Sequence, residues 1–478
     1  MQGFDSGVVL DMKIVMKFGG VSVADGDRLR KVATIVRKFH REGHSLVVVT
    51  SAMASVTDGL TEIAKRASRG EKKAVHEFIE SMQHKHRKAA EASIMDEQVL
   101  GRTMDAVNQR IDELKNILLG VAHIGELTAR SKDYVLGYGE KMSAPLLQGV
   151  VEDLGMKSKS LTGGEAGIVT DERFGDASPL MSITSHQVKQ TMEPLLEEGV
   201  IAVVSGFIAS TQDGVQTTMG RGGSDYSASI IGAAIKADEV WVWKDVDGLM
   251  TANPKIVKSA RMIERISFAE AMELAHFGAE VVHPKALECA AKYGLTFRVK
   301  ALRDPDSPGT VIQSEVKVKS GDIVKAITNI NDVSLITVSG ASMVGTPRLA
   351  AKVLQILTDE DINVLMISQS SSEESITLAV PKSGGSKALN ALELSLLGSK
   401  QVREVSVEDG LSIVAVVGAG MRGTPGVAAR VFKTMAEEKI NIRAIAQGSS
   451  ELNISFIVNK SDAKKAVESL HKDFRLGE

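Results

Sequence analysis

The stretch Thr217-Thr218-Met219-Gly220-Arg221-Gly222-Gly223-Ser224-Asp225 combines the residue types that bind anions. It follows an apolar run, Ile201 to Ile208, that predicts a strand, and a helix is expected to start at Tyr226. Glycines let a backbone come close to a ligand, and the free N–H groups at a helix start attract negative charge. Arg221 adds a planar fork for a carboxylate or phosphate, and Asp225 adds an acid in the same turn. A second glycine turn, Lys17-Phe18-Gly19-Gly20-Val21-Ser22-Val23, lies between the strand-like Lys13-Ile14-Val15-Met16 and a helical pattern from Asp27 to Phe39. It is not a P-loop, whose lysine follows the glycines at GxxxxGK[ST] spacing. Here Lys17 comes first, where it can reach forward to a phosphate seated on the Gly19 and Gly20 amides. The two turns together point to phosphate and carboxylate chemistry.

The elements that must position these turns are legible up to about residue 315. Short apolar runs such as Leu46 to Thr50, Ile201 to Ile208 and Glu239 to Trp243 alternate with helical segments. That alternation predicts a mainly parallel open sheet covered by helices on both faces, a three-layer α/β/α fold. Ligands in such sheets bind beyond the carboxyl ends of the strands. Residues 71–119 are charged and carry helical spacing in Ile111, Leu114, Ile117 and Leu118, which predicts a helical insertion against the sheet. Beyond residue 320 the chain repeats at a constant offset. Gly345-Thr346-Pro347 returns as Gly423-Thr424-Pro425, Ile362-Asn363 as Ile440-Asn441, and Gln369, Ser372 and Ile376 as Gln447, Ser450 and Ile454. A gapless repeat of this size means two copies of one small unit. Its order of elements fits a ferredoxin-like βαββαβ unit.

Composition narrows the class. The net charge of −3 over 478 residues leaves no nucleic-acid footprint. The single cysteine, Cys289, excludes an internal disulfide framework and a cysteine-rich zinc site, and is expected to pack as a small apolar residue. No apolar run reaches the roughly 20 residues that span a membrane. The first dozen residues lack the basic start and apolar stretch of a signal peptide, and Met12 could serve as the start. A cytoplasmic enzyme is the expectation.

Five motifs in order give the chain a resemblance to the amino-acid kinase family and, within it, to aspartate kinases. They are Lys17 to Val23 (KFGGTSV in the family), Val48-Val49-Thr50-Ser51-Ala52-Met53 followed by Thr57, Gly139-Glu140-Lys141-Met142-Ser143, Thr217 to Asp225 (TTLGRGGSD), and Phe277 to Pro284 (FGAKVLHP). The resemblance implies a kinase domain over 13–315 and two ACT domains over 320–400 and 401–478. It implies ATP-dependent phosphorylation of the L-aspartate side-chain carboxylate, the first step toward lysine, threonine and methionine. Lys17 and Asp225 would be the catalytic pair. Ser51, Thr57, Glu140, Arg221, Gly222, Gly223 and Ser224 would surround the amino acid, with Glu140 on its ammonium and Arg221 on its α-carboxylate. Lys17, Gly19, Gly20, Lys244, Asp245, Met250, Lys255 and Glu280 would face the nucleotide. Magnesium is expected with ATP, and no fixed-metal spacing is visible. An aspartate carboxylate is already ionised at neutral pH, so His283 is read as a structural residue at a turn rather than a base. By the same resemblance the ACT pair binds an effector, lysine or threonine, through Met343, Asn363 and Gln369, and forms a homodimer that could pair further into a tetramer.

The departures from the family pattern gather on the nucleotide side. Lys244, Met250, Asn253 and Lys255 stand where threonine, tyrosine, aspartate and arginine are usual; Glu280 replaces a lysine, and Val21 a threonine. An altered ATP affinity or nucleotide preference is therefore expected. The alternative reading is an amino-acid sensor or regulatory subunit with a weakened kinase domain.

Overall fold

The structure is a computed structural model that describes residues 11–278, 282–316, 323–340, 347–370, 375–397 and 402–478. Glu280, Met343, Gly345, Thr346 and Ser372 lie outside the described residues. The chain forms two compact units. The first comprises the chain through Leu249, Glu264–Phe268 and the described residues up to Glu315; the second takes Met250–Ile263, the described part of 269–279, and the described residues from Val316 to Glu478.

In the first unit the elements run β1 (Lys13–Phe18), α1 (Gly26–Arg41), β2 (Ser45–Thr50), α2 (Val56–Ser68), α3 (Lys72–Ser93), α4 (Glu97–Ile124), α5 (Ala129–Leu136), α6 (Tyr138–Asp153), β3 (Ser158–Leu161), α7 (Met181–Glu197), β4 (Ile201–Ser205), β5 (Ile208–Ser210), β6 (Gln216–Thr218), α8 (Gly223–Ile235) and β7 (Glu239–Lys244). Then come β8 (Arg265–Ser267), α9 (Phe268–His276, which passes into the second unit), α10 (Pro284–Lys292), β9 (Thr296–Ala301) and β10 (Thr310–Gln313). The sheet order is β3-β4-β2-β1-β7-β9-β10-β8, and only the β9–β10 pair is antiparallel. Strand β1 is buried on both faces, as a central parallel strand must be. Ile14, Met16 and Phe18 join the cluster that includes α1, while Val15 faces Gly232 of α8. The register sets Phe18 beside Thr50 and Trp243, and Thr50 beside Ser205, so four strand ends meet at one edge.

Three details differ from the sequence expectation. Helix α8 starts at Gly223, not Tyr226, so Ser224 and Asp225 lie in its first turn. The run Ile201 to Ile208 breaks after Ser205, because Phe207 takes a left-handed φ of 67° and turns the chain into β5. The insertion is helical, but α3 and α4 pack on α1, α2 and α6 rather than on the sheet itself.

The second unit continues with β11 (Ala326–Ser339), α11 (Pro347–Asp359), β12 (Met366–Gln369), β13 (Ser375–Pro381), α12 (Lys382–Leu396), β14 (Glu404–Val417), α13 (Val427–Glu437), β15 (Ala444–Ala446), β16 (Asn453–Asn459) and α14 (Lys460–Asp473). Its antiparallel sheet has the order β12-β13-β11-β14-β16-β15. Strands β11 and β14 run through both repeats. Val333–Ser339 pairs with β13 in the first repeat, whereas Ala326–Ile330 pairs with Ile413–Val417 of the second. The second repeat thus takes its last strand from residues that precede the first. Segments from before residue 280 also belong to this unit: Thr251 Oγ1 meets His471 Nε2 at 2.9 Å, and Glu270 accepts the Ala419 N–H at 2.7 Å.

Candidate functional site

Where the strand ends meet, a cavity of about 600 Å³ opens, lined by residues of the first unit alone. Lys17, Gly20, Val21, Ser51, Thr57, Glu140, Gly220 to Asp225 and Lys244 all face it. Both glycine turns and the two intervening motifs are therefore brought together. Gly19 is not among the lining residues, and a Cβ there would stand 3.6 Å from Lys17 Nζ.

Lys17 leaves the buried end of β1 and is itself 5% exposed. Its ammonium forms an ion pair with Asp225 in the first turn of α8. Lys244, at the end of β7, stands 3.9 Å from the other Asp225 oxygen. Burial opposes ionisation of Asp225, but Lys17, Lys244 and the His283 N–H outweigh it and hold the carboxyl below its usual range. The amides of Ser224 and Asp225 precede the first intrahelical bond of α8, from the Tyr226 N–H to the Gly222 carbonyl, and so carry the positive end of the helix dipole.

Glu140 sits opposite, in the first turn of α6, 3% exposed. Its place depends on Gly139, since a Cβ there would come within 2.6 Å of the Ala52 Cβ. The close approach lets Glu140 Oε1 accept the Ala52 N–H at 3.0 Å. Oε2 has no hydrogen-bond partner among the described residues. Burial pushes this carboxyl up to about 8, against the pull of the Ala52 amide and of Lys17. A buried carboxylate with one bare oxygen is set up for a cation that arrives from outside. The neighbouring loop is pinned from three sides: the Ser143 hydroxyl donates to the Ser51 carbonyl (2.7 Å), the Ala54 N–H to the Gly20 carbonyl (3.1 Å), and Lys85 to the Ala54 carbonyl (2.6 Å).

Other expected residues stand elsewhere. Asp245 is outside the lining, where both carboxylate oxygens accept from Arg28 Nη1 at 3.1 and 3.0 Å. Met250 and Lys255 are carried by the second unit; Met250 bridges to Met262, and Lys255 is exposed. Asn363 and Gln369 are exposed near and on β12. His283 caps α10, with Nδ1 3.4 Å from the Lys285 amide. Cys289 is buried, which pushes its thiol up to about 12. Sequence reasoning missed Phe207, Asp58 and Ser55 in the lining. Ser55 and Phe207 both have positive φ, which no local pattern announces. It also missed Arg28, which ties the first glycine turn to the end of β7 through the Val21 carbonyl (2.9 Å) and Asp245. Among the described residues no helix is long and apolar enough to cross a membrane.

Comparison with known proteins places these features in context. Residues 12–301 match the amino acid kinase family model, and residues 336–396 and 414–474 match an ACT domain model. The chain is 32% identical over 98% of its length to the bifunctional aspartokinase/homoserine dehydrogenase 2, chloroplastic, of Arabidopsis thaliana, and covers 51% of that protein. It thus spans about half the length of the bifunctional relatives it matches. Against aspartokinase 1, chloroplastic, of the same plant the identity is 31%, with 96% of this chain and 80% of the relative covered. Two solved structures of E. coli aspartokinase III are similar at 29% identity. One, in complex with aspartate and ADP (R-state), has a TM-score of 0.80 and covers 96% of this chain and 99% of that one. The other, with lysine and aspartate (T-state), has a TM-score of 0.81 and covers 97% and 99%.

Proposed function

Because the chain belongs to the amino acid kinase family, in its aspartokinase branch with C-terminal ACT domains, we propose that it transfers the γ-phosphoryl group of ATP to the side-chain carboxylate of L-aspartate. The products are 4-phospho-L-aspartate and ADP. A carboxylate oxygen forms the new P–O bond, and the bond to the bridging oxygen of the β-phosphate breaks. The acceptor is already ionised at neutral pH, so no residue has to remove a proton. The protein's task is alignment and charge stabilisation.

Lys17, held by Asp225, places an ammonium at the transferring group. The α8 amides and the first glycine turn supply N–H groups to its oxygens. Lys244 adds a second cation beside Asp225. Glu140 receives the α-ammonium of aspartate, and Arg221 its α-carboxylate. Ser51 and Thr57 offer hydroxyls at the same wall. Among the described residues no cluster of His, Cys, Asp or Glu could hold a metal, and Asp225 is already committed to lysine. Magnesium would therefore arrive with ATP, held by phosphate and water, and neutralise phosphate charge there.

One observation carries the reading: a buried carboxylate with a bare oxygen shares a cavity with a lysine–aspartate pair at a helix start. The ACT repeats would bind an amino acid, and the lysine complex of the E. coli relative makes lysine the first choice over threonine. A homodimer through these repeats, or a tetramer built from it, completes the proposal, and a cytoplasmic-type aqueous compartment suits it. The test is phosphate transfer from ATP with magnesium, trapping the acyl phosphate as its hydroxamate, with lysine and threonine added in parallel. Activity on L-aspartate that lysine lowers supports the proposal. No hydroxamate at saturating ATP and aspartate overturns it.

A further inference from the structure

Asp133 lies on α5, outside every motif, yet it is fully buried. Its Oδ2 accepts two backbone N–H groups, from Thr218 at 2.8 Å and Gly175 at 2.9 Å, and its Oδ1 accepts the Thr218 hydroxyl at 2.8 Å. It forms no ion pair among the described residues. Burial pushes its carboxyl above the ordinary range, and the donors from Gly175 and Thr218 pull against that. A buried carboxylate without a cation is costly, and three donors converging on it fit an acceptor-only group better than an amide.

The bonds link three elements around one turn. Thr218 ends β6, two residues before Gly220. The Asp133 carbonyl also accepts the buried Gln216 side-chain amide at 2.7 Å, so two of the three β6 residues are tied to α5. Gly175 belongs to the loop 171–178, whose Ala177 N–H donates to the Thr218 carbonyl at 2.9 Å. The next residue, Asp176, packs against Gly220, where a Cβ would fall 2.2 Å from its Oδ1, and φ is +71°. Asp176 is in turn paired with Lys285. Both walls of the turn are therefore referred to one carboxylate. Arg221 follows directly, exposed at the cavity, and its side chain makes no hydrogen bond or ion pair among the described residues. With no side-chain anchor of its own, its location is set by its backbone.

We propose that Asp133 is a positioning residue for amino-acid recognition: through Thr218 and Gly175 it fixes the Gly220–Arg221 turn, and so sets affinity for the carboxylate that Arg221 meets. This rests on the proposed aspartate kinase activity. The nucleotide-side groups Lys17, Gly20 and Lys244 stand on β1, the turn after it and β7, which Asp133 does not touch. Its loss should thus fall on the acceptor and spare ATP.

The test compares wild type, Asp133→Asn, Asp133→Ala and Thr218→Val by initial rates with aspartate and ATP varied separately. Asp133→Ala is expected to raise KM for aspartate roughly tenfold or more, with KM for ATP changed less than about twofold, because three donors lose their acceptor. Asp133→Asn, nearly isosteric, should recover most of that affinity. Thr218→Val, which keeps the backbone bond, should raise KM for aspartate by about threefold. Equal rises in both KM values without rescue by asparagine, or an unchanged KM for aspartate, overturn the proposal. If Asp133→Ala does not fold, Thr218→Val and Asp133→Asn decide alone: an unchanged KM for aspartate in Thr218→Val overturns it. A wild type without aspartate phosphorylation is a failure of the activity, not of the positioning. Amide exchange at Thr218 to Gly223 then decides: faster exchange in Thr218→Val supports the role, and unchanged exchange overturns it.

Discussion

Replacing Glu140 with glutamine separates the cost of this carboxyl from its use. Burial disfavours the ionised form of this group and pushes it from 4.5 up to about 8. Between those values the folded chain binds the proton that the unfolded chain has released. The contribution of Glu140 is therefore full at low pH and falls as pH rises from 4.5 through about 8. At about 1.4 kcal/mol per pH unit the whole span amounts to about 5 kcal/mol, an upper bound where the site can relax or admit water. Glutamine keeps an acceptor for the Ala52 N–H and has no proton to lose. Glu140→Gln should melt at nearly the wild-type temperature at pH 5 and above it at pH 8.5. The same change should lower kcat/KM for aspartate by about a hundredfold or more, through KM, since the substrate ammonium loses its buried partner. In the wild type, kcat/KM for aspartate should rise toward pH 8 as Glu140 ionises. Melting curves across pH, paired with initial rates, check all three. A gap in melting temperature that is the same at pH 5 and pH 8.5 would refute the reasoning, since the effect would then owe nothing to ionisation.

Lys17→Ala should cost about a hundredfold to a thousandfold in kcat, read by the hydroxamate assay, because it removes the cation at the transferring group; a loss below tenfold would contradict that role. Lys244→Thr should raise KM for ATP about three- to tenfold, less at high salt, and leave KM for aspartate in place. An unchanged KM for ATP would mean that Lys244 serves only Asp225. His86 is buried with Nδ1 2.8 Å from the Met82 carbonyl and Nε2 unpartnered among the described residues, and burial lowers it to about 4. Its contribution to stability is present above 6.5 and is lost as pH falls toward about 4, by up to about 3 kcal/mol. His86→Met should flatten that acid limb in melting curves between pH 7.5 and 4.5, and an unchanged limb would assign the acid sensitivity to other groups.

What could be read in advance follows from where the information lies along the chain. The glycine turns and the lysine at a strand end stand out because their residue types are unusual and adjacent, and the cavity forms where the parallel register brings four strand ends level. Phe207 was hidden inside an apolar run, since nothing in Ile201 to Ile208 marks the residue whose φ reverses. Arg28 and Asp245 are 217 positions apart, and neither is unusual where it stands. Asp133 looks like one polar residue on a short helix until Thr218, 85 positions on, is seen to donate to it. Such contacts are products of the assembled fold, and local spacing carries no trace of them.

The repeat shows the same limit in another form. A constant offset of 78 residues, visible again between 336 and 414 in the two matched ACT segments, says that two stretches share one local fold. It does not say where the chain leaves one copy and enters the other. A βαββαβ unit closes with its last strand beside its first, and that place can be filled by any strand of suitable pattern. In this chain Ala326–Ile330 fills it for the second copy, and β11 then passes into the first through an irregularity at Asn331 and Asp332, where Asp332 takes a φ of 57°. The exposed polar pair Asn331-Asp332 separates two buried stretches, a pattern that fits one bulged strand as well as two short ones. Only the pairing register, Ile327 against Val416 and Val338 against Val405, shows that the copies are joined through their two central strands. The second copy has no complete sheet without Ala326–Ile330 from the far side of the first, and the first closes on the start of β14, so a shift in one is borne by strands that also form the core of its neighbour.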